Sequence, residues 1–324
     1  MRPGRILFAL AVLLAAAGCL GATSPSKPAR SLPTEPVQVP ADALVIENGR
    51  VITGTGAAPI PDGVVVVLDQ RVIAVGRAAD FAIPPSAQRV DARGGTILPG
   101  IFNAHVHTTS SPAARRVYFL LKGVTSVCDM GSQLKEMAKF AEDHRLGPAS
   151  RGFRSGPIVT VPGGYPDNVW AGSLNYEIGT PEEARVGVAD LIERGADVIK
   201  IALEPGSVED PWPMLNLEQV QAIVEEAHAR GRLVRAHVGR TKGSDVLDIV
   251  LNRGVDIIDH VPIPVFSARE EYDIIMKTGS FEMTPADRDE MAQLAAHHIM
   301  MVPTLTAHTL WCSSAGLTQP QQEA

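Results

Sequence analysis

The sequence predicts an α/β fold: a TIM-like (β/α) barrel lacking its eighth strand, preceded by a small N-terminal all-β segment. Three observations carry this expectation. Residues 42 to 95 hold short β-branched runs separated by turn residues. Beyond Gly100, seven strongly apolar runs alternate with helical stretches. Only nineteen residues, ending in the polar run Gln319 to Ala324, follow the seventh run. The 324 residues suffice for about two domains at ~150 residues each. With 45% hydrophobic and 20% charged residues, the chain can bury a large core, which excludes global disorder. Its 29 basic and 36 acidic side chains give a net charge of −7, the wrong sign for a nucleic-acid surface. The cysteines at 19, 128 and 312 are too few and too scattered for a disulfide framework or a Cys-rich zinc site. A metal, if bound, must be held by His and oxygen ligands.

Residues 1–19 read as a signal peptide: Arg2 and Arg5 precede an apolar run from Ile6 to Ala17 that is too short to span a bilayer. Its end, Ala16-Ala17-Gly18-Cys19, resembles the bacterial lipobox, in which the cysteine is acylated. Export to the bacterial cell envelope is therefore expected, lipid-anchored through Cys19 or free in the periplasm. Residues 20–41 carry prolines at 25, 28, 33, 36 and 40 and read as an extended linker.

In the segment 42–95, Ala43 to Ile46, Val64 to Leu68 and Arg71 to Val75 are strand candidates, separated by Asn48-Gly49, Pro61-Asp62-Gly63 and Asp69-Gln70. In the segment 96–324 the candidates are Ile101 to His107, Gly123 to Asp129, Gly156 to Val161, Asp197 to Leu203, Leu233 to Val238, Val255 to His260 and Ile299 to Leu305. Runs this apolar suit strands buried on both faces. Thr180-Pro181 caps and opens a helix running to about Gly195, and Thr284-Pro285 does the same before Asp287 to His297.

Chemistry enters with the polar residues on those strands. His105 and His107 are two apart, so a strand projects both imidazoles to one face, at the C-terminal end where barrel active sites form. His237 and His260 end the fifth and sixth strands. Lys200 lies inside the apolar run Val198 to Ile201, where an unpaired buried ammonium costs several kcal/mol. Chemical modification or a metal would compensate it.

These residues resemble the metal-dependent amidohydrolase superfamily. Thr96 to His107 is similar to its apolar strand with Pro-Gly and His-x-His, with Asn103 where Asp is commoner. Gly123 to Gly131 resembles its second-strand segment, with Cys128 where Arg is frequent. Asp197 to Ile201 resembles the strand whose lysine is carboxylated, and Ala236-His237-Val238-Gly239 and Asp259-His260 match the later ligand strands. The resemblance runs from residue 42 to about 306. It implies a β-sandwich segment at 42–95 and a barrel holding two divalent metal ions, zinc by ligand type. His105 and His107 would hold one ion and His237 and His260 the other, with carboxylated Lys200 bridging them. It implies hydrolysis of an amide or other C–N bond by a metal-bridging hydroxide.

Within the superfamily, Ile46 to Ile52 and the second-strand segment look most like the exported Xaa-Pro or basic dipeptidase and imidazolonepropionase-like group. That implies a dipeptide or small-molecule substrate. Gly163-Gly164-Tyr165 stands where that group has Gly-Gly-His. Tyr165 then either polarises a substrate carbonyl or packs in its loop, and Arg240 and Lys242 either clamp a carboxylate or lie as surface charge.

In the family an aspartate ending the eighth strand acts as general base and acid, and no such strand is recognisable here. Asp129, Asp259 and Glu204 lie near barrel ends, yet none is placed by sequence as its substitute, and the catalytic base stays unassigned. His308 is a loop histidine or an extra ligand. His144, His228, His297 and His298 read as structural, Cys128 as a small buried hydrophobe, and Cys312 has no visible partner. Three alternatives remain open: a two-metal hydrolase whose sequence is a fragment, an inactive metal-binding relative, and a mononuclear deaminase-type member that does not need Lys200. A partner copy in a homo-oligomer could supply the missing strand.

Overall fold

The computed structural model describes residues 35–107, 112–137, 148–167, 174–206, 210–239, 246–260 and 285–304. The chain divides into two compact units at the Pro99–Gly100 bond. Residues 1–34, with Cys19, lie outside the described residues, as do Arg240, Lys242, His144, His308 and Cys312.

The first unit contains β1 (Val37–Gln38), β2 (Leu44–Val51), β3 (Ile60–Leu68), β4 (Arg71–Arg77), β5 (Phe81–Ala82), β6 (Gln88–Asp91) and β7 (Thr96–Ile97). A five-stranded sheet runs in the order β4-β3-β2-β6, with β7 also on β2, and β1 pairs with β5. The β3–β4 hairpin turns at Asp69 and Gln70, both at positive φ (47° and 63°), the backbone that matches the twist of flanking antiparallel strands. Val45, Val64 and Val66 pack with Ala43, Val39 and Ala87 into this unit's core.

The second unit begins with β8 (Ile101–Val106), α1 (Pro112–Leu121), β9 (Val124–Asp129), β10 (Arg151–Arg154), β11 (Ile158–Thr160) and β12 (Asn175–Glu177). It continues through α2 (Pro181–Glu193), β13 (Ile199–Leu203), α3 (Leu217–Ala229), β14 (Val234–Val238), α4 (Val246–Asn252), β15 (Ile257–Asp259), α5 (Pro285–Ala296) and β16 (Met300–Val302). All strands of this unit pair in parallel. Three strands order as β10-β9-β8 and six as β12-β11-β13-β14-β15-β16.

Each of the seven apolar runs contains a strand, but around the third run the structure departs from a single strand: β10, β11 and β12 share the region. The handover falls at Ser155-Gly156-Pro157. Ser155 N–H still donates to Asp129 O (2.9 Å), Gly156 turns the chain at φ 74°, and Pro157 has no N–H to continue the ladder. Among the described residues β8 pairs only with β9 and β16 only with β15, so hydrogen bonding does not close a ring.

Both helix starts singled out in the sequence are present, α2 at Pro181 and α5 at Pro285. Thr180 Oγ1 accepts the N–H of Glu183 (3.1 Å) with Pro181 at the first helical position. Asn216 and Gln219 close a reciprocal capping box on α3. Ala184, Gly187, Val188 and Leu191 recur at helical spacing and are buried, and the core they join continues through Ile199, Ile201, Val220, Ile223 and Val234. This packing holds β13 and β14 in register, and their register positions the site. Among the described residues no helix is long and apolar enough to cross a membrane.

Candidate metal centre

Parallel register stacks the polar residues in layers. Lys200 on β13 lies beside Arg235 on β14, which lies beside Ile257 on β15. One layer further along, Ala202, His237, Asp259 and Val302 are in line. Because strand side chains alternate, Lys200, Arg235, His237 and Asp259 all project to the same face. His105 and His107 project together from β8 and its end, with their Nε2 atoms 3.2 Å apart.

Asp259 and His260 are adjacent, so a fully extended chain would send them to opposite faces. His260 instead adopts φ 74°, a left-handed conformation that costs a non-glycine residue roughly 1–3 kcal/mol. Its ring thereby lies 5.0 Å from the His105 ring and 4.7 Å from the His237 ring, centroid to centroid. His260 Nδ1 shares a 2.7 Å hydrogen bond with Thr304 Oγ1, itself at φ 49°. All five residues singled out by sequence, His105, His107, Lys200, His237 and His260, are thus gathered at one place.

The electrostatic centre is Asp259, which is fully buried. The Lys200 ammonium pairs with its Oδ2 and the Arg235 guanidinium with its Oδ1, while His105 Nδ1 lies 3.0 Å from Oδ1. Arg235 also donates to Ala104 O on β8 (2.9 Å). Burial alone would push the Asp259 carboxyl up, but Lys200, His105 and Arg235 outweigh it and hold it far below the usual carboxylate range. Burial pushes Lys200 down to about 8 against the pull of Asp259. Burial lowers all four imidazoles, His107 to about 4, His237 to about 3 and His260 to about 2, and the charge of Lys200 adds to the lowering at each. The imidazoles are therefore neutral, the form that donates a lone pair to a metal.

Glu204, just beyond β13, has its Oε2 3.4 Å from His237 Nε2, and burial pushes its carboxyl up. Tyr165 lies flat on the His237 ring (centroids 4.2 Å, interplanar angle 17°) and stacks more loosely on Trp212 (6.4 Å). Burial, with Glu204 nearby, pushes its phenol up to about 12.

Among the described residues no three of His, Cys, Asp and Glu already converge on one point as a coordination sphere. The donors come in pairs. Two ligands of one tetrahedral zinc ion, each ~2.1 Å from it, stand about 3.4 Å apart. The His105–His107 separation of 3.2 Å fits that edge. Four neutral nitrogens around a buried lysine fit divalent ions of borderline softness.

Sequence reasoning missed Arg235 and the centrality of Asp259, and it left Glu204 without a task. Arg235 carried the same signal as Lys200, a charge inside the apolar run Leu233 to Val238, two residues before His237 and so on its face. Asp259 was hidden because strand alternation sets it opposite His260, and only the left-handed backbone of His260 brings both to one side. Asp129 is buried and accepts the Gly131 N–H (3.2 Å), and His228 bonds Asp256 (2.9 Å) away from this cluster.

Comparison with known proteins points the same way. Residues 96–308 match the model of the amidohydrolase family. The enamidase of Eubacterium barkeri is 26% identical over 281 residues, spanning 78% of this chain and 67% of that enzyme. The crystal structure of a putative prolidase from Bifidobacterium longum aligns with a TM-score of 0.62 at 26% identity, over 87% of this chain and 67% of that one. A Xaa-Pro dipeptidase with methionine bound in its active site shares the fold, with a TM-score of 0.64 at 19% identity over 87% and 73% of the two chains. The chain spans about two thirds of the length of the enamidase and of the prolidase.

Proposed function

The chain belongs to the amidohydrolase family of hydrolases acting on C–N bonds, and on that premise we propose that it is a metal-dependent, peptidase-like amide hydrolase whose substrate is a dipeptide or comparable small molecule. The observation that carries the proposal is Lys200, wholly buried in mid-strand, with four neutral imidazoles under the influence of its charge. In this reading His105 with His107 would hold one divalent ion and His237 with His260 another, zinc by ligand type, and Lys200, once carboxylated, would offer its oxygens to them as a further ligand. The fold reading that accompanies it takes β8, β9, β11, β13, β14, β15 and β16 as successive strands of a TIM-like barrel, and the first unit as a β-sandwich segment.

Bound divalent ions would supply Lewis acidity toward a scissile carbonyl and activation of a water molecule. The chain's own residues do the remaining work. Asp259, beside His105 Nδ1, orients that ring so that its Nε2 faces His107. Thr304 does the same for His260 through Nδ1, and the Tyr165 ring fixes the plane of His237. With its ammonium lowered to about 8, Lys200 exposes a fraction of free amine near neutral pH. The amine nitrogen attacks the carbon of CO2, an N–C bond forms, one proton is released, and the product is an anionic carbamate with two oxygens to offer. Removal of the Lys200 charge also leaves Arg235 to hold Asp259.

The test measures release of free amino acid from Xaa-Pro and basic dipeptides by the full chain, supplied with Zn2+ and bicarbonate, against its Lys200→Ala variant. Metal-dependent turnover that vanishes in the variant supports the reading. Turnover that survives in Lys200→Ala would favour one-metal, deaminase-type chemistry, and metal uptake without turnover on any substrate tried would favour an inactive relative. Export through residues 1–19 and acylation of Cys19 complete the proposal. Their support is the sequence of that segment, and loss of palmitate labelling in Cys19→Ser is the check.

A further inference from the structure

Glu204 is an acidic side chain at this site for which the reading above has no role. It lies four residues beyond Lys200 and one beyond the end of β13, so alternation keeps it on the face of the buried lysine. Its Oε1 accepts the Gly206 N–H (3.1 Å), and its Oε2 stands 3.4 Å from His237 Nε2. Space for it comes from Gly239. The Gly239 N–H donates to Leu203 O (2.8 Å), which sets the two segments side by side, and a Cβ at 239 would overlap all three atoms of the Glu204 carboxyl group. The backbone of Gly239 is not in the left-handed region, so its conformation does not require glycine. What requires it is the carboxylate.

We propose that Glu204 is an additional metal ligand, placing a carboxylate oxygen on the ion held by His237, and that residue 239 is glycine to let it reach. The inference rests on the metal-dependent reading above. The 3.4 Å between Glu204 Oε2 and His237 Nε2 equals the edge of about 3.4 Å expected between two ligands of one tetrahedral zinc ion. A carboxylate is also the hard, anionic donor that offsets a dication among neutral imidazoles. If Glu204 served only to orient His237 by accepting a hydrogen bond, a glutamine carbonyl oxygen would do the same, so the isostere separates the two roles.

The experiment is a calorimetric titration of the metal-free full chain with Zn2+, paired with the visible spectrum after loading with Co2+. The wild type is expected to take up two equivalents. Glu204→Gln is expected to bind one of them at least tenfold more weakly and to shift the Co2+ bands. Gly239→Ala, whose methyl group displaces the carboxylate without deleting it, is expected to do likewise. The double variant should then lose no more than Glu204→Gln alone, because both changes remove one interaction. A Glu204→Gln chain that titrates and absorbs like the wild type overturns the proposal, as does a normal titration of Gly239→Ala. A wild-type chain that takes up no metal fails earlier and differently, since it removes the reading on which the proposal rests.

Discussion

Replacing Lys200 by methionine should make the metal-free chain more stable. Lys200 is wholly buried, and its lowering from 10.5 to about 8 means that the folded chain holds this ammonium less favourably than water does, even with Asp259 beside it. At ~1.4 kcal/mol per unit, the burden is about 3 kcal/mol. Below pH 8 folded and unfolded chains both carry the proton, and the whole burden is present. Between pH 8 and about 10.5 the folded chain sheds the proton first, so the stability of the wild type should rise with pH through that window. Methionine keeps an unbranched stem of similar length and carries no charge, while Arg235 continues to hold Asp259. Urea unfolding at pH 7, after removal of metal and bicarbonate so that the amine is unmodified, should show Lys200→Met more stable by about 2–3 kcal/mol, without the alkaline rise. A variant less stable than the wild type, or a wild type flat in pH from 8 to 10, would refute the reasoning, because Asp259 would then more than repay the burial. The gain in Lys200→Met would mark a lysine held at a loss in stability, as expected of a residue present for chemistry.

Two further outcomes follow from the same cluster and its neighbours. Asp259→Asn removes the one carboxylate shared by Lys200 and Arg235 and leaves two buried cations facing each other. The same urea experiment should show a loss of about 3–5 kcal/mol, and a loss below about 1 kcal/mol would mean that the two cations find water or other partners. Cys128 is buried on β9, and burial pushes its thiol up to about 12, so on the order of 10³ less thiolate is present at neutral pH than for an exposed cysteine. Peptide mapping after iodoacetamide treatment should find Cys128 unmodified in the native chain and alkylated in urea. Equal labelling in both conditions would show that β9 is open to solvent.

Much of this was legible in the sequence because it depends on short-range periodicity. Two-residue spacing placed His105 and His107 on one face, the apolar run around Lys200 marked a buried lysine, and Thr180-Pro181 marked the start of α2. What stayed hidden depends on contacts between segments far apart in sequence. Arg235 meets Asp259 and Ala104 across three strands, and the Glu204 carboxyl fits only because residue 239, just beyond the end of the neighbouring β14, has no side chain. The two extra strands β10 and β12, which flank the third apolar run on either side of β11, were also out of reach, since they turn on which neighbour accepts each ladder bond around Gly156 and Pro157.

The sequence by itself determined the parallel-strand character of residues 101–304, the family, and the identity of five nitrogen-bearing side chains that meet. A period of two or 3.6 residues is a property of the local chain, and it survives in any packing. Only the tertiary structure decided how the charges balance. Inter-strand register put two cations on one carboxylate, and a left-handed backbone at His260 turned a neighbouring pair to the same face. Charges and donors act through distance in space, and register and backbone handedness are what convert separation along the chain into that distance.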